Sequence, residues 1–170
     1  AKKKIVVLGS TGSIGQSTMS VVRDLSDSLQ IVGLAACSSI SSIKDQIDEF
    51  HPAAVALQQQ TSADELRRQV SDGIDVVGGS EGILDIARMP QADVAVCAIV
   101  GAAGLMPAIE AIKSGKDIAL ANKEVLVMAG KIVMEMAHIH DIKIMPVDSE
   151  HSALFQCLEN EDSKKIKRLI

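Results

Sequence analysis

The sequence predicts an α/β protein built on a doubly wound parallel sheet, and three observations predict it. Short aliphatic runs alternate with amphipathic helical stretches through short connections. Apolar residues make up 47% of the chain, yet it has no Trp, no Tyr and two Phe. Its core must therefore come from Ile, Val, Leu, Ala and Met, the composition of strands buried on both faces. Finally, Gly9-Ser10-Thr11-Gly12-Ser13-Ile14-Gly15 stands between the first aliphatic run and the first helical stretch. A strand, a glycine-rich turn and a helix start come there in succession.

The elements follow in order. Ile5–Leu8 reads as the first strand, and Ser17–Leu25 as an amphipathic helix behind the glycine turn. Glycines let that turn bend sharply and approach a ligand, and the unpaired N–H groups of a helix start suit a pyrophosphate. The spacing is G-x-x-G-x-x-G rather than G-x-G-x-x-G, and such glycines also serve plain packing. Ile31–Ala36 is the second strand. Its end, Cys37-Ser38-Ser39, lacks the carboxylate that would hold a ribose 2′-hydroxyl, which tilts a dinucleotide toward NADP. Ser38 and Ser39 equally suit capping of a helix beginning near Ile43. Ala54–Leu57 is a third strand, Ala63–Val70 a short helix, Ile74–Val77 a short strand, and Glu81–Met89 a helix stopped by Pro90. Val94–Ile99 reads as a central buried strand. The small residues of Val100–Leu105 leave room for a ligand or for tight helix packing.

A helix over Pro107–Lys113 and a strand over Asp117–Ala121 lead to Asn122-Lys123-Glu124, then to a helix from Val125 to His140 with Met and Val along its inner face. These three polar residues read either as ligand contacts or as an ordinary helix start. His138 and His140 belong on the solvent side of the helix end. Lys143–Val147 is the last strand and delivers Asp148-Ser149-Glu150-His151. In extended geometry Asp148 and Glu150 point the same way and suit a hard divalent ion. As a helix N-terminus they would cap and charge the first turn.

Composition bounds the partners. A net charge of −5 and the lack of aromatic platforms argue against nucleic acid, and Lys2-Lys3-Lys4 reads as a solvated lead-in. Cys37, Cys97 and Cys157 form no metal-ligand spacing and, being odd in number, no closed disulfide framework. A reduced, cytoplasmic setting is expected. Val94–Met106, broken by Gly101 and Gly104, falls short of the ~20 residues a bilayer span needs, so no membrane partner is expected. No secretory or transit segment precedes the first strand, and the chain opens on Ala1.

Four segments in this order resemble the 1-deoxy-D-xylulose 5-phosphate reductoisomerase family: Gly9–Gly15, Ala98–Leu105, Leu120–Glu124 and Pro146–His151. The last three are the more specific, and the likeness covers essentially the whole chain. The resemblance implies a Rossmann-like NADPH-binding domain over residues 1–147, with residues 148–170 opening a catalytic domain. It implies an enzyme that rearranges 1-deoxy-D-xylulose 5-phosphate and reduces the product to 2-C-methyl-D-erythritol 4-phosphate, using NADPH and magnesium, manganese or cobalt. This is a step of non-mevalonate isoprenoid biosynthesis. By position Thr11, Gly12, Ser13 and Ile14 would hold the pyrophosphate. Cys37, Ser38 and Ser39 would lie at the 2′-phosphate, and Asn122 and Glu124 at the ribose and nicotinamide end. Lys123 and Ser149 would touch the sugar phosphate, and Asp148 and Glu150 would hold the metal, with Lys123, Ser149 and Glu150 forming the catalytic set.

The family often carries Gly and a basic residue at the 2′-phosphate loop. With Cys37 and Ser38 here, recognition would rest on hydroxyls and backbone. A third carboxylate ligand, the substrate-phosphate site, a lid and a helical domain are expected beyond Ile170, with Lys164–Ile170 entering the catalytic sheet. The 170-residue chain is accordingly expected to bind NADPH without turning over, and the whole protein to form a homodimer. Two other readings remain: a semialdehyde or homoserine dehydrogenase sharing this first domain, and a non-catalytic nucleotide-sensing module.

Overall fold

The structure, a computed structural model, describes residues 1–159, 161–162, 164 and 166–168. Strands β1 (Lys3–Leu8), β2 (Leu29–Ala36), β3 (Ala54–Leu57), β4 (Asp75–Gly78), β5 (Val94–Cys97), β6 (Asp117–Leu120) and β7 (Ile144–Pro146) form a seven-stranded sheet in the order β4-β3-β2-β1-β5-β6-β7. Every pairing is parallel. Between and after them come helices α1 (Ser13–Asp24), α2 (Ile40–Phe50), α3 (Gln60–Arg67), α4 (Gly79–Arg88), α5 (Leu105–Lys113), α6 (Lys123–Ile139) and α7 (Ser149–Leu158), with a 3₁₀ turn over Gly101–Gly104 ahead of α5. The chain winds outward from β1 to β4, then crosses back and lays β5 on the other side of β1. The loops leaving β1 and β5 therefore diverge and open a crevice at the carboxyl edge.

Both faces of the sheet are buried, which explains the continuous aliphatic runs. Ile5 and Val7 of β1 point to the face covered by Met19 and Val22 of α1, Ile43 and Ile47 of α2, and Ala63 and Leu66 of α3. Val6 and Leu8 point to the other, against Ile83 and Ile86 of α4, Ala111 and Ile112 of α5, and Val125 and Val133 of α6. Burying each Val, Leu, Ile or Met among them contributes roughly 1.5–3 kcal/mol relative to exposure.

The helices begin earlier than the apolar periodicity indicates: α1 at Ser13, not Ser17; α2 at Ile40, not Ile43; α3 at Gln60, not Ala63; α4 at Gly79, not Glu81; α6 at Lys123, not Val125. The first turn of a helix needs no intrahelical acceptor for its N–H groups, so polar residues occupy it readily. Helix α6 breaks its φ and ψ at Ala129 (−143°, 24°). As expected, Val and Met lie on its inner face: Val125, Val133 and Ala137 are buried and Met136 packs against the core. Val127 is 82% exposed, and Met128, Ile132, Met134 and Ile139 also face outward. His138 and His140 are exposed, as expected.

Of the two readings of 148–151, the structure takes the helix start. Residues Ser149–Leu158 are helical, with Asp148 at the N-cap position and Glu150 in the first turn. The extended geometry that would aim Asp148 and Glu150 the same way is therefore not adopted. Pro146 ends the preceding edge strand, and acidic residues favour a helix start. Of the strand expected over 164–170, residues 165, 169 and 170 lie outside the described residues, and 166–168 carry no strand.

Candidate active site

All seven strands end level. Leu8 pairs with Ala35 and with Cys97, Ala36 with Leu57, Leu57 with Gly78, Cys97 with Leu120, and Leu120 with Pro146. The residues that follow these tips therefore share one edge. Across β1, β5, β6 and β7, at about 4.8 Å per strand, the glycine loop and the segment after β7 stand roughly 14 Å apart.

At the β1 tip the three glycines divide the work. Gly9 has a φ of +95°, and a Cβ there would come 2.7 Å from the Ala98 carbonyl, so this residue lets β1 and β5 close up. A Cβ on Gly15 would overlap the Ser10 carbonyl. Gly12 differs: its nearest neighbour would be Gly9 O at 3.5 Å, and it lines the open cleft. It also stands at the N-cap of α1 with no side-chain cap. The N–H groups of Thr11, Ser13 and Ile14 have no acceptor among the described residues. A helix start with free amides and open space above its glycine fits an anion such as a pyrophosphate.

The cleft above this loop has a volume of about 730 Å³. Thr11 and Gly12 line it from the β1 tip, Cys37 from β2, Gln58 from β3, Ser80 from the start of α4, and Ala98–Val100 from β5. Its walls are mostly apolar with few polar groups, as small-molecule sites are.

At the β6 tip, Asn122 is 3% exposed. Its amide donates to the carbonyls of Ile99 and, at 3.0 Å, Gly101, and its Oδ1 accepts from Val125 N at 3.3 Å. It caps α6 and ties β6 to the loop after β5. A Cβ on Gly104 would meet that same amide and the Ile99 carbonyl at 2.5 Å, so the small residues of 101–104 serve close packing here.

The β7 side gathers Lys123, Ser149 and Glu150. Lys123 Nζ lies 3.9 Å from Glu150 Oε1, and Ser149 Oγ donates to Glu150 Oε2 at 3.0 Å. Glu150's own backbone N–H, the Ser149 hydroxyl and the Lys123 ammonium together hold its carboxyl below the usual carboxylate range. An exposed, ionised carboxylate flanked by a cation and a hydroxyl can share a cation or an oxygen-rich ligand. Among the described residues, no group of three His, Cys, Asp or Glu is placed to hold a metal.

Comparison with known proteins shows the family. The family model described as 1-deoxy-D-xylulose 5-phosphate reductoisomerase matches residues 5–130, and the model of that family's C-terminal domain matches 144–170. The chain belongs to the 1-deoxy-D-xylulose 5-phosphate reductoisomerase family. A reductoisomerase from Thermoanaerobacter sp. (strain X514) is 46% identical over 168 residues, 99% of this chain and 44% of that relative. The chain thus spans less than half the length of the curated relatives it matches. A reductoisomerase crystal structure in complex with NADPH, fosmidomycin and magnesium superposes with a TM-score of 0.87 at 39% identity, covering 91% of this chain and 38% of that one. A homoserine dehydrogenase from Thiobacillus denitrificans, 18% identical with a TM-score of 0.52 over 86% of this chain and 29% of its own, shares the fold alone.

Set against the reductoisomerase expectations, Thr11, Gly12 and Cys37 line the cleft, with Ser13 and Ile14 in the first turn of α1 beside them. Ser38 and Ser39 follow Cys37 in sequence and are not among the lining residues; Ser39 is the N-cap of α2 and its hydroxyl donates to that of Ser42 at 2.9 Å. Glu124 is exposed in the first turn of α6. Asn122, expected at a ribose, has a side chain largely satisfied by the protein. Gln58 and Ser80, bonded to each other at 2.8 Å, were not foreseen. Their signal is their place just past the ends of β3 and β4.

Proposed function

We propose that this chain is the cofactor-binding part of an enzyme that converts 1-deoxy-D-xylulose 5-phosphate to 2-C-methyl-D-erythritol 4-phosphate with NADPH and a divalent metal, in non-mevalonate isoprenoid biosynthesis. The observation that carries the reading is the level row of strand tips, which sets the free amides of the glycine loop and the Lys123–Ser149–Glu150 cluster on one edge. Residues 1–147 form the NADPH-binding unit and 148–170 the opening of the catalytic unit. Supporting that division, the family's C-terminal model begins at residue 144.

In this reading Thr11, Gly12, Ser13 and Ile14 bind the pyrophosphate through backbone N–H groups. Cys37, Ser38 and Ser39 face the adenosine 2′-phosphate with thiol, hydroxyls and amides. Asn122 holds the β5 loop against the nicotinamide end, and Glu124 lies at its rim. Lys123 places a positive charge where substrate oxygen accumulates negative charge, and Ser149 orients a substrate hydroxyl. Asp148 and Glu150 would hold the magnesium, manganese or cobalt ion together with groups from the rest of the catalytic domain. Bound there, the ion would supply Lewis acidity to neighbouring substrate oxygens, and NADPH would supply the hydride.

For the whole enzyme we propose a cytoplasmic homodimer without nucleic-acid or membrane partners. In support, Cys37, Cys97 and Cys157 are all free thiols. Among the described residues, no helix is long and apolar enough to cross a membrane.

The test is thiol labelling of the 170-residue chain with iodoacetamide, with and without NADPH. Cys37 and Cys157 are exposed and Cys97 is buried, its thiol pushed up to about 12 by burial. NADPH is expected to protect Cys37 alone, while an assay with NADPH, manganese and the pentulose phosphate stays silent. Equal labelling of Cys37 with and without NADPH would refute the site, and turnover would refute the assignment of missing parts.

A further inference from the structure

We propose that Gln46 is a positioning residue for the dinucleotide phosphate loop: its side-chain amide holds the Ser10 carbonyl inward and so turns the Thr11 N–H out toward the cleft. This rests on the NADPH reading of that cleft.

Gln46 sits in the middle of α2, on the face that otherwise packs Ile43 and Ile47 against the sheet. It is 4% exposed. An apolar side chain would serve packing at that position, so a buried amide needs another reason. Its Nε2 donates to Ser10 O at 2.9 Å, across a gap of 36 residues in sequence. Its Oε1 and the Ser10 Oγ are both buried without a hydrogen-bond partner among the described residues, so the amide's hydrogen bonding is confined to its donor side.

Ser10 is held from several sides. Its own N–H and that of Gly9 both donate to Ala35 O at the tip of β2, at 2.9 and 2.8 Å. Helix α1 closes on its carbonyl at Gly15, where even a Cβ would overlap. The carbonyl and N–H of one trans peptide point in opposite directions. With Ser10 O fixed toward α2, the Thr11 N–H must face away from it. That N–H has no protein acceptor among the described residues, and Thr11 lines the cleft. Arg23 of α1 and Asp45 and Glu49 of α2 line the shallow recess beside Gln46. Arg23 is tied to Glu49 by hydrogen bonds of 2.5 and 2.9 Å.

The experiment measures NADP⁺ affinity of the 170-residue chain by calorimetry from about pH 5 to 8, with melting temperatures, for wild type, Q46M and Q46E. Methionine fills the site without a donor. A glutamic acid donates O–H to Ser10 when protonated and repels the carbonyl when ionised, and burial raises the pH at which it ionises. Q46M is expected to bind about tenfold more weakly at every pH, the loss of one oriented hydrogen bond to a charged group. Q46E, taken as a ratio to wild type at each pH, is expected to match it at low pH and fall to the Q46M level as the carboxyl ionises.

A Q46M affinity within twofold of wild type overturns the inference. So does a pH-independent Q46E ratio, which decides the matter even if Q46M fails to fold. Wild type that does not bind NADP⁺ overturns the NADPH reading itself, an outcome read before any variant.

Discussion

Gly12 and Gly9 sit three residues apart in one loop and answer to different constraints. Gly12→Ala meets no backbone neighbour closer than 3.5 Å. It is expected to cost under about 1 kcal/mol of stability, an N-cap effect, yet to weaken NADPH binding markedly because the new methyl would stand at the proposed phosphate site. Gly9→Ala forces a residue with a φ of +95° against the Ala98 carbonyl and is expected to lose more than about 2 kcal/mol. Urea melts and cofactor titrations on both variants separate the two effects. Lys116 offers a residue-scale test away from the site. It is 1% exposed, its Nζ has no hydrogen-bond partner among the described residues, and burial lowers its pKa below the usual 10.5. The unfolded chain keeps that proton up to its ordinary value, so folding carries a penalty below the folded pKa that is relieved as pH rises toward 10.5. Lys116→Met is expected to raise stability at pH 7 by about 1–3 kcal/mol and to flatten the alkaline rise, as followed by urea midpoints across pH.

Asn122 shows what one residue does for two elements. It begins α6 and holds the loop after β5 by its amide. Asn122→Ala removes the amide donor to the Ile99 and Gly101 carbonyls and the side-chain cap of Val125 N–H, which keeps only the Asn122 backbone carbonyl at 3.3 Å. It is expected to cost about 2–3 kcal/mol, with faster amide exchange over Gly101–Gly104. Unchanged exchange there would mean the loop stands without it. Helix α7 illustrates the opposite balance. None of its residues is buried; Asp148 stands at its N-cap position without a side-chain cap bond, and Glu150 places a negative charge in its first turn.

Across the whole molecule, acid stability follows from four paired carboxyls. Arg23 holds Glu49 below its usual range, Gln60 and Arg67 hold Asp64, Lys113 and Arg88 hold Glu110, and the groups around it hold Glu150. Each folded-state pKa lies below its ordinary value of 4.5 or, for Asp64, 3.8. Their contribution is therefore present above about pH 5 and lost as pH falls through and below that range. Most of these groups are solvated, so the effect is modest and screened by salt. Urea midpoints are expected to fall below about pH 5, and the fall should shrink in 1 M salt; a flat profile would contradict it.

The sequence by itself determined the alternation of seven aliphatic runs with helices, because strands buried on both faces leave continuous apolar runs that local pattern reading detects. It also determined that a glycine turn follows the first strand, and which polar segments follow the last two. Only the tertiary structure decided that Gly9 and Gly15 serve packing while Gly12 stands open, and that the Asn122 amide bonds the loop after β5. It also decided that Asp148 begins a helix, and that Gln46 reaches Ser10. Each of these depends on what another strand or helix brings alongside, and a parallel sheet brings together residues separated by tens of positions that no local periodicity connects.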